Sequence, residues 1–113
     1  MNASAAAAGF ELAGAGGAFS LAGVLSFETA TAVLRSGEAA FAGTGARSVD
    51  LSGVTHADSA GLSVLLTWVE EARREGRTLH YISLPAQLVR IARLCAVEQL
   101  LAAAESPAPA ASA

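Results

Sequence analysis

The chain has 113 residues, room for one domain with a single core of ordinary size. Its net charge is −3 and all 7 basic residues are arginine, so it lacks the basic surface a general nucleic-acid binder needs. Apolar residues make up 53%, much of it alanine. No apolar run of about 18 residues escapes charge or glycine, so no membrane-spanning helix or insertion is expected.

The N-terminus MNASAAAAGFELAGAGG has neither the basic start nor the leucine-rich stretch of a signal peptide, which points to the cytoplasm. Residues 1–9 and 102–113 are rich in small residues, the latter also in proline, and both are expected to be disordered around one domain at 10–101. Phe10–Ala13 and Ala18–Leu25 read as strands, and the glycines between them as a hairpin turn. That AGAGG segment lacks the lysine and the following helix of a phosphate-binding loop. Ser26 can cap a helix over about 27–41, with Ala30, Val33, Leu34 and Phe41 on its apolar side, and Gly43-Thr44-Gly45 breaks it.

Ser48–Leu51 reads as an interior strand with Val49 and Leu51 on one side. A second helix is expected from Ser59 to about Glu75, stopped by Gly76. Leu79–Leu84 is another strand, and Pro85 opens a third helix with the stripe Leu88, Ile91, Ala92, Cys95. That spacing makes Cys95 a buried thiol, and as the lone cysteine it forms no intramolecular disulfide. A short helical piece near 97–104 carries Leu100 and Leu101. The order β-β-α-β-α-β-α-α implies parallel pairing across helical crossovers.

On a wheel of about 100° per residue, Leu62, Leu65, Leu66 and Val69 form one stripe of the second helix. Gly61, Val64, Trp68 and Ala72 extend the apolar arc to roughly 200°, about twice what one buried face requires. Two readings stay open. Trp68 and Val64 tuck under a neighbouring element, or they form an exposed patch that awaits a partner.

Catalysis finds little to work with. As a nucleophile Ser59 would need a positioned base, and the only histidines are His56, three residues earlier, and His80, in a strand. Ala57 occupies the first glycine position of a Gly-x-Ser-x-Gly elbow. Two histidines and one cysteine, far apart, show no metal-ligand spacing, and no cofactor is implied. Asp58 or Ser59 can cap the second helix, while Ala60 and Gly61 keep its first turn bare. Glycine here suits a close backbone approach.

The stretch VDLSGVTHADSAGLSVLL resembles the central motif of STAS domains, the family of anti-sigma factor antagonists and sulfate-transporter tails. Trp68, Ala72, Arg73, Gly76 and Arg77, then Leu84-Pro85-Ala86-Gln87-Leu88 and Ile91-Ala92-Arg93, resemble the MlaB branch, the small STAS subunit of Mla phospholipid-transport ABC complexes. The resemblance implies an α/β fold, a mixed sheet with helices mainly on one face. It implies a non-catalytic cytoplasmic subunit that binds the transporter's ATPase at the inner membrane of a Gram-negative cell and serves outer-membrane lipid asymmetry. Asp58, Ser59, Ala60, Gly61, Val64 and Trp68 are then the expected partner-binding residues, with Val64 and Trp68 facing outward. Such an exposed flank would also self-associate when the partner is missing. The alternative is an anti-sigma factor antagonist switched by phosphorylation of Ser59.

Overall fold

The structure, a computed structural model, describes residues 9–42 and 47–104. Strands β1 (Phe10–Ala15) and β2 (Ala18–Leu25) pair antiparallel. Gly16 and Gly17 turn the hairpin with φ of +64° and +88°. Two successive positive φ values match a two-residue turn whose twist suits the flanking strands, and only glycine adopts them without strain. Helix α1 (Ala30–Phe41) crosses to β3 (Arg47–Ala57), and α2 (Ser59–Arg74) crosses to β4 (Leu79–Ile82). Helices α3 (Ala86–Leu94) and α4 (Glu98–Ala104) complete the domain. The sheet order is β1-β2-β3-β4, with β2/β3 and β3/β4 parallel. The element order and the mixed α/β architecture are those expected.

Alternation decides which face of the sheet is covered. Phe19, Leu21, Val49, Leu51, Leu79 and Tyr81 are buried, while their neighbours Ser20, Ser48, Asp50 and His80 are more open. The helices therefore pack on one face. Strand β3 is interior, as expected, but runs well beyond Leu51. Its register against β2 shifts twice, between Ser20/Ala22 and between Gly23/Val24, each time with one extra residue on β3. These bulges break the alternation over Ser52–His56, which is why the polar second half of the strand was not visible as one.

Several boundaries move for local reasons. Helix α1 starts at Ala30 because Ser26 and Thr29 close a turn first. Thr29 Oγ1 accepts from the Ser26 N–H at 3.0 Å and donates to the Val24 carbonyl at 2.8 Å, so Ser26 is buried in the turn and caps nothing. The Gly43-Thr44-Gly45 break lies outside the described residues. Helix α2 ends as expected at Gly76, with φ +70°. The Arg77 N–H bonds Ala72 O at 2.8 Å and the Gly76 N–H bonds Arg73 O at 3.2 Å, a Schellman motif. Strand β4 stops at Ile82, since Ser83 takes φ +60°. Helix α4 starts at Glu98 and ends at Ala104, as expected for the helical piece near 97–104. Cys95 is exposed: it caps the end of α3 instead of extending its apolar stripe. Leu88 and Ala92 do face the core.

Candidate functional site

The end of β3 and the start of α2 form one pole of the domain. Asp58 is extended (φ −137°, ψ −168°) and caps α2, its Oδ1 accepting from the N–H groups of Ala60 at 2.9 Å and Gly61 at 3.1 Å. Its Oδ2 accepts from the Phe27 N–H at 3.0 Å. One carboxylate thus holds the β2–α1 turn against the first turn of α2, 31 positions further along the chain. Partial burial works to raise the Asp58 carboxyl. The three backbone donors and the nearby His56 outweigh it and leave the group below the usual aspartate range.

With Asp58 as the cap, Ser59 is released from that duty. It is the first residue of α2, it is exposed, and its hydroxyl bonds no described residue. Its carbonyl accepts from Ser63 Oγ at 3.2 Å, and the Ser63 carbonyl accepts from Thr67 Oγ1 at 2.8 Å. Ser59, Ser63 and Glu70 then run along the open side of the helix, with Leu66 and Thr67 half-buried beside them. No described base lies within hydrogen-bonding reach of the Ser59 hydroxyl, so this arrangement presents it without activating it. Among the described residues no three His, Cys, Asp or Glu side chains group to hold a metal.

Gly61 is buried, and the close approach there is made by this chain. A methyl group at that position would collide with the Leu25 carbonyl oxygen. Glycine lets α2 start directly on the end of β2. Ala60 is half-buried, so the bare first turn reduces to Ser59 and the edge of Ala60.

Val64 and Trp68 do not face outward. Each is 1% exposed. The indole packs edge-on against Phe41 of α1, ring centres 5.0 Å apart at 78°. It also lies over Gly37, where a Cβ would come within 2.6 Å of the ring. The wide apolar arc exists because α2 lies between α1 and the α3–α4 pair while also covering the sheet. Leu62 and Leu65 are core residues as expected, whereas Leu66 and Val69 are only partly buried at its margin. The expected docking flank is therefore interior, and with it goes the basis for self-association through Trp68.

Two residues at this pole were missed. Phe27 is 81% exposed, beside Asp58 and Ser59. The wheel conceals it: three and seven residues before Ala30 and Leu34, Phe27 continues the apolar side assigned to the first helix, and only the later start at Ala30 leaves it outside. Gln87, within Leu84-Pro85-Ala86-Gln87-Leu88, accepts from the Ala57 N–H at 3.3 Å and anchors the turn into Asp58. Nothing in spacing alone connects those two segments.

A family profile described as "Mlab, STAS domain" matches residues 8–102. The chain belongs to the Mlab-type STAS domain family. Among solved structures, this STAS domain is similar to an anti-sigma factor antagonist from Mycobacterium paratuberculosis, at 21% identity and a TM-score of 0.63, over 84% of this chain and 92% of that one. It is also similar to the unphosphorylated anti-sigma factor antagonist SpoIIAA, at 13% identity and a TM-score of 0.58, over 75% and 82% of the two chains. At these identities the likeness concerns the fold. No curated protein sequence matches the chain. No helix among the described residues is long and apolar enough to cross a membrane.

Proposed function

We propose that this STAS domain is a non-catalytic docking subunit that binds the cytoplasmic ATPase of a Mla-type phospholipid-transport ABC complex. In that role it supports assembly and activity of the transporter at the inner membrane. The observation that carries the reading is the Asp58 clamp, which presents the unengaged Ser59 hydroxyl and the exposed Phe27 ring on one rigid pole. An exposed aromatic tethered through its backbone to a polar clamp has the character of an interface anchor. Membership of the Mlab-type family supports the choice of partner.

Co-purification with the ATPase of a phospholipid ABC complex tests this. Ser59→Arg and Phe27→Asp should each abolish capture while leaving the domain folded. If both variants are captured as well as the unaltered protein, the proposed surface is wrong.

A second reading has its own support. Ser59 is free of any capping bond, and the two solved structures named above are anti-sigma factor antagonists. A phosphate there would meet a helix N-terminus but also the Asp58 carboxylate, and would expel an apolar partner surface. Stoichiometric phosphate on Ser59 in native cells, with a kinase-like anti-sigma gene nearby, would favour this switch. Neighbouring permease and ATPase genes would favour the transporter.

A further inference from the structure

The opposite pole holds a cavity of about 290 Å³ between the C-terminal ends of α1 and α2, lined by Glu38, Phe41, Arg47, Glu71, Glu75 and Arg77 among others. It is remote from Ser59, because the 16 residues of α2 span roughly 24 Å. We propose that this cavity binds a small zwitterion, its anionic group on Arg47 and its cationic group between Glu38 and Glu71.

Arg47 is the reason to expect a ligand. Only 5% of it is exposed, yet its Nε has no hydrogen-bond partner. Its guanidinium lies over the Phe41 ring, 4.7 Å from the centre. No described carboxylate pairs with it in contact. A buried cation is ordinarily matched by a carboxylate, because desolvation without a partner is expensive. Here burial and the neighbouring Arg77 bear on the Arg47 charge more heavily than Glu75 and Glu71 relieve it. The missing partner is an anionic acceptor.

A bare anion does not suit the rest of the cavity. Arg77 is engaged with Glu75 at 3.2 Å, which leaves Glu38 and Glu71 as the remaining charged groups of the lining. Both would repel a lone anion and attract an adjacent cation. The volume corresponds to about ten waters at roughly 30 Å³ each, room for a small amino acid and a few waters beside it. A carboxylate and an ammonium on neighbouring atoms match this alternation of charge, and the small apolar portion of such a molecule can lie toward Phe41.

Titration of ¹⁵N-labelled protein with free glycine and free L-alanine, with acetate and ethylamine as single-charge controls, tests the proposal. The amino acids should give saturable shifts at the Arg47 Nε–H resonance and at the amides of Gly37, Ala42 and Glu71. The controls should give none that saturate at the same concentrations. Arg47→Gln should weaken binding at least about tenfold, the effect of losing a charge-assisted hydrogen bond. Glu38 is exposed, so Glu38→Gln keeps the fold and should weaken binding by about threefold even if the Arg47 variant unfolds. No saturable shift up to about 100 mM, the weak extreme of ligand binding, would overturn the proposal. Acetate binding as well as glycine would overturn it too, as would shifts confined to the Ser59 pole.

Discussion

At the Ser59 pole the buried polar groups are matched within the fold: Asp58 receives three backbone donors, and Ala57 is held by Gln87. At the Arg47 pole two buried donors, Arg47 Nε and Trp68 Nε1, have no partner. The first pole is rigid on the inside and open on the outside, which suits recognition by a large surface. The second is unsatisfied on the inside, which suits a small ligand. Exposure of the reactive group and satisfaction of its surroundings are separate properties, and in this domain they point to different kinds of occupant.

The sharpest way to break the comparison is through Trp68. As a core residue, Trp68→Ala should destabilise the domain by about 3–5 kcal/mol, read from the midpoint of denaturant unfolding. A docking residue would instead leave stability intact and lose only the partner. Asp58→Ala is next. Loss of the cap and of the Phe27 tether should remove about 2 kcal/mol. The same carboxylate makes a pH prediction. Its folded pKa is depressed, so its contribution is full above the ordinary aspartate value of about 3.9 and fades as pH falls through the lower native value. Acid unfolding of Asp58→Asn should lack that component.

At the other pole, Arg47→Met should stabilise the ligand-free domain by about 1 kcal/mol. Removing the unmatched charge should outweigh the lost contact with Phe41, and a raised Tm would show it. Destabilisation would mean that the guanidinium is already satisfied. The smallest effect on stability belongs to Phe27→Ser, within about 0.5 kcal/mol of the unaltered domain by thermal unfolding. Its consequence should appear only in partner capture.

Much of the fold was legible because its signals are local. The glycine turn between β1 and β2, Gly76 after α2, and Pro85 before α3 each act within a few residues. So does the capping of α2, although choosing Asp58 over Ser59 required the bonds from the Ala60 and Gly61 N–H groups. The direction of the Trp68 flank was not legible. A wheel measures the width of an apolar arc, and this width reflects three neighbours, α1, the α3–α4 pair and the sheet; Gly37 of α1 supplies space and no apolar signal. Arg47 was hidden for a related reason. A lone arginine at a strand start reads as solvated until the ring of Phe41 is found packed against it.

The paired bulges in β3 set a counting rule for evolution and engineering. Each extra residue inverts which side of the sheet the following side chains take, and the second inversion cancels the first. Leu51 and Ala57 consequently share a face. Losing one residue from 52–56 while both bulges persist would send Ala57 to the wrong side and turn the Asp58 carboxylate away from Phe27. Losing two could preserve the phase. A stretch that looks like a polar loop, tolerant of any length, is instead a spacer whose parity aims the recognition surface.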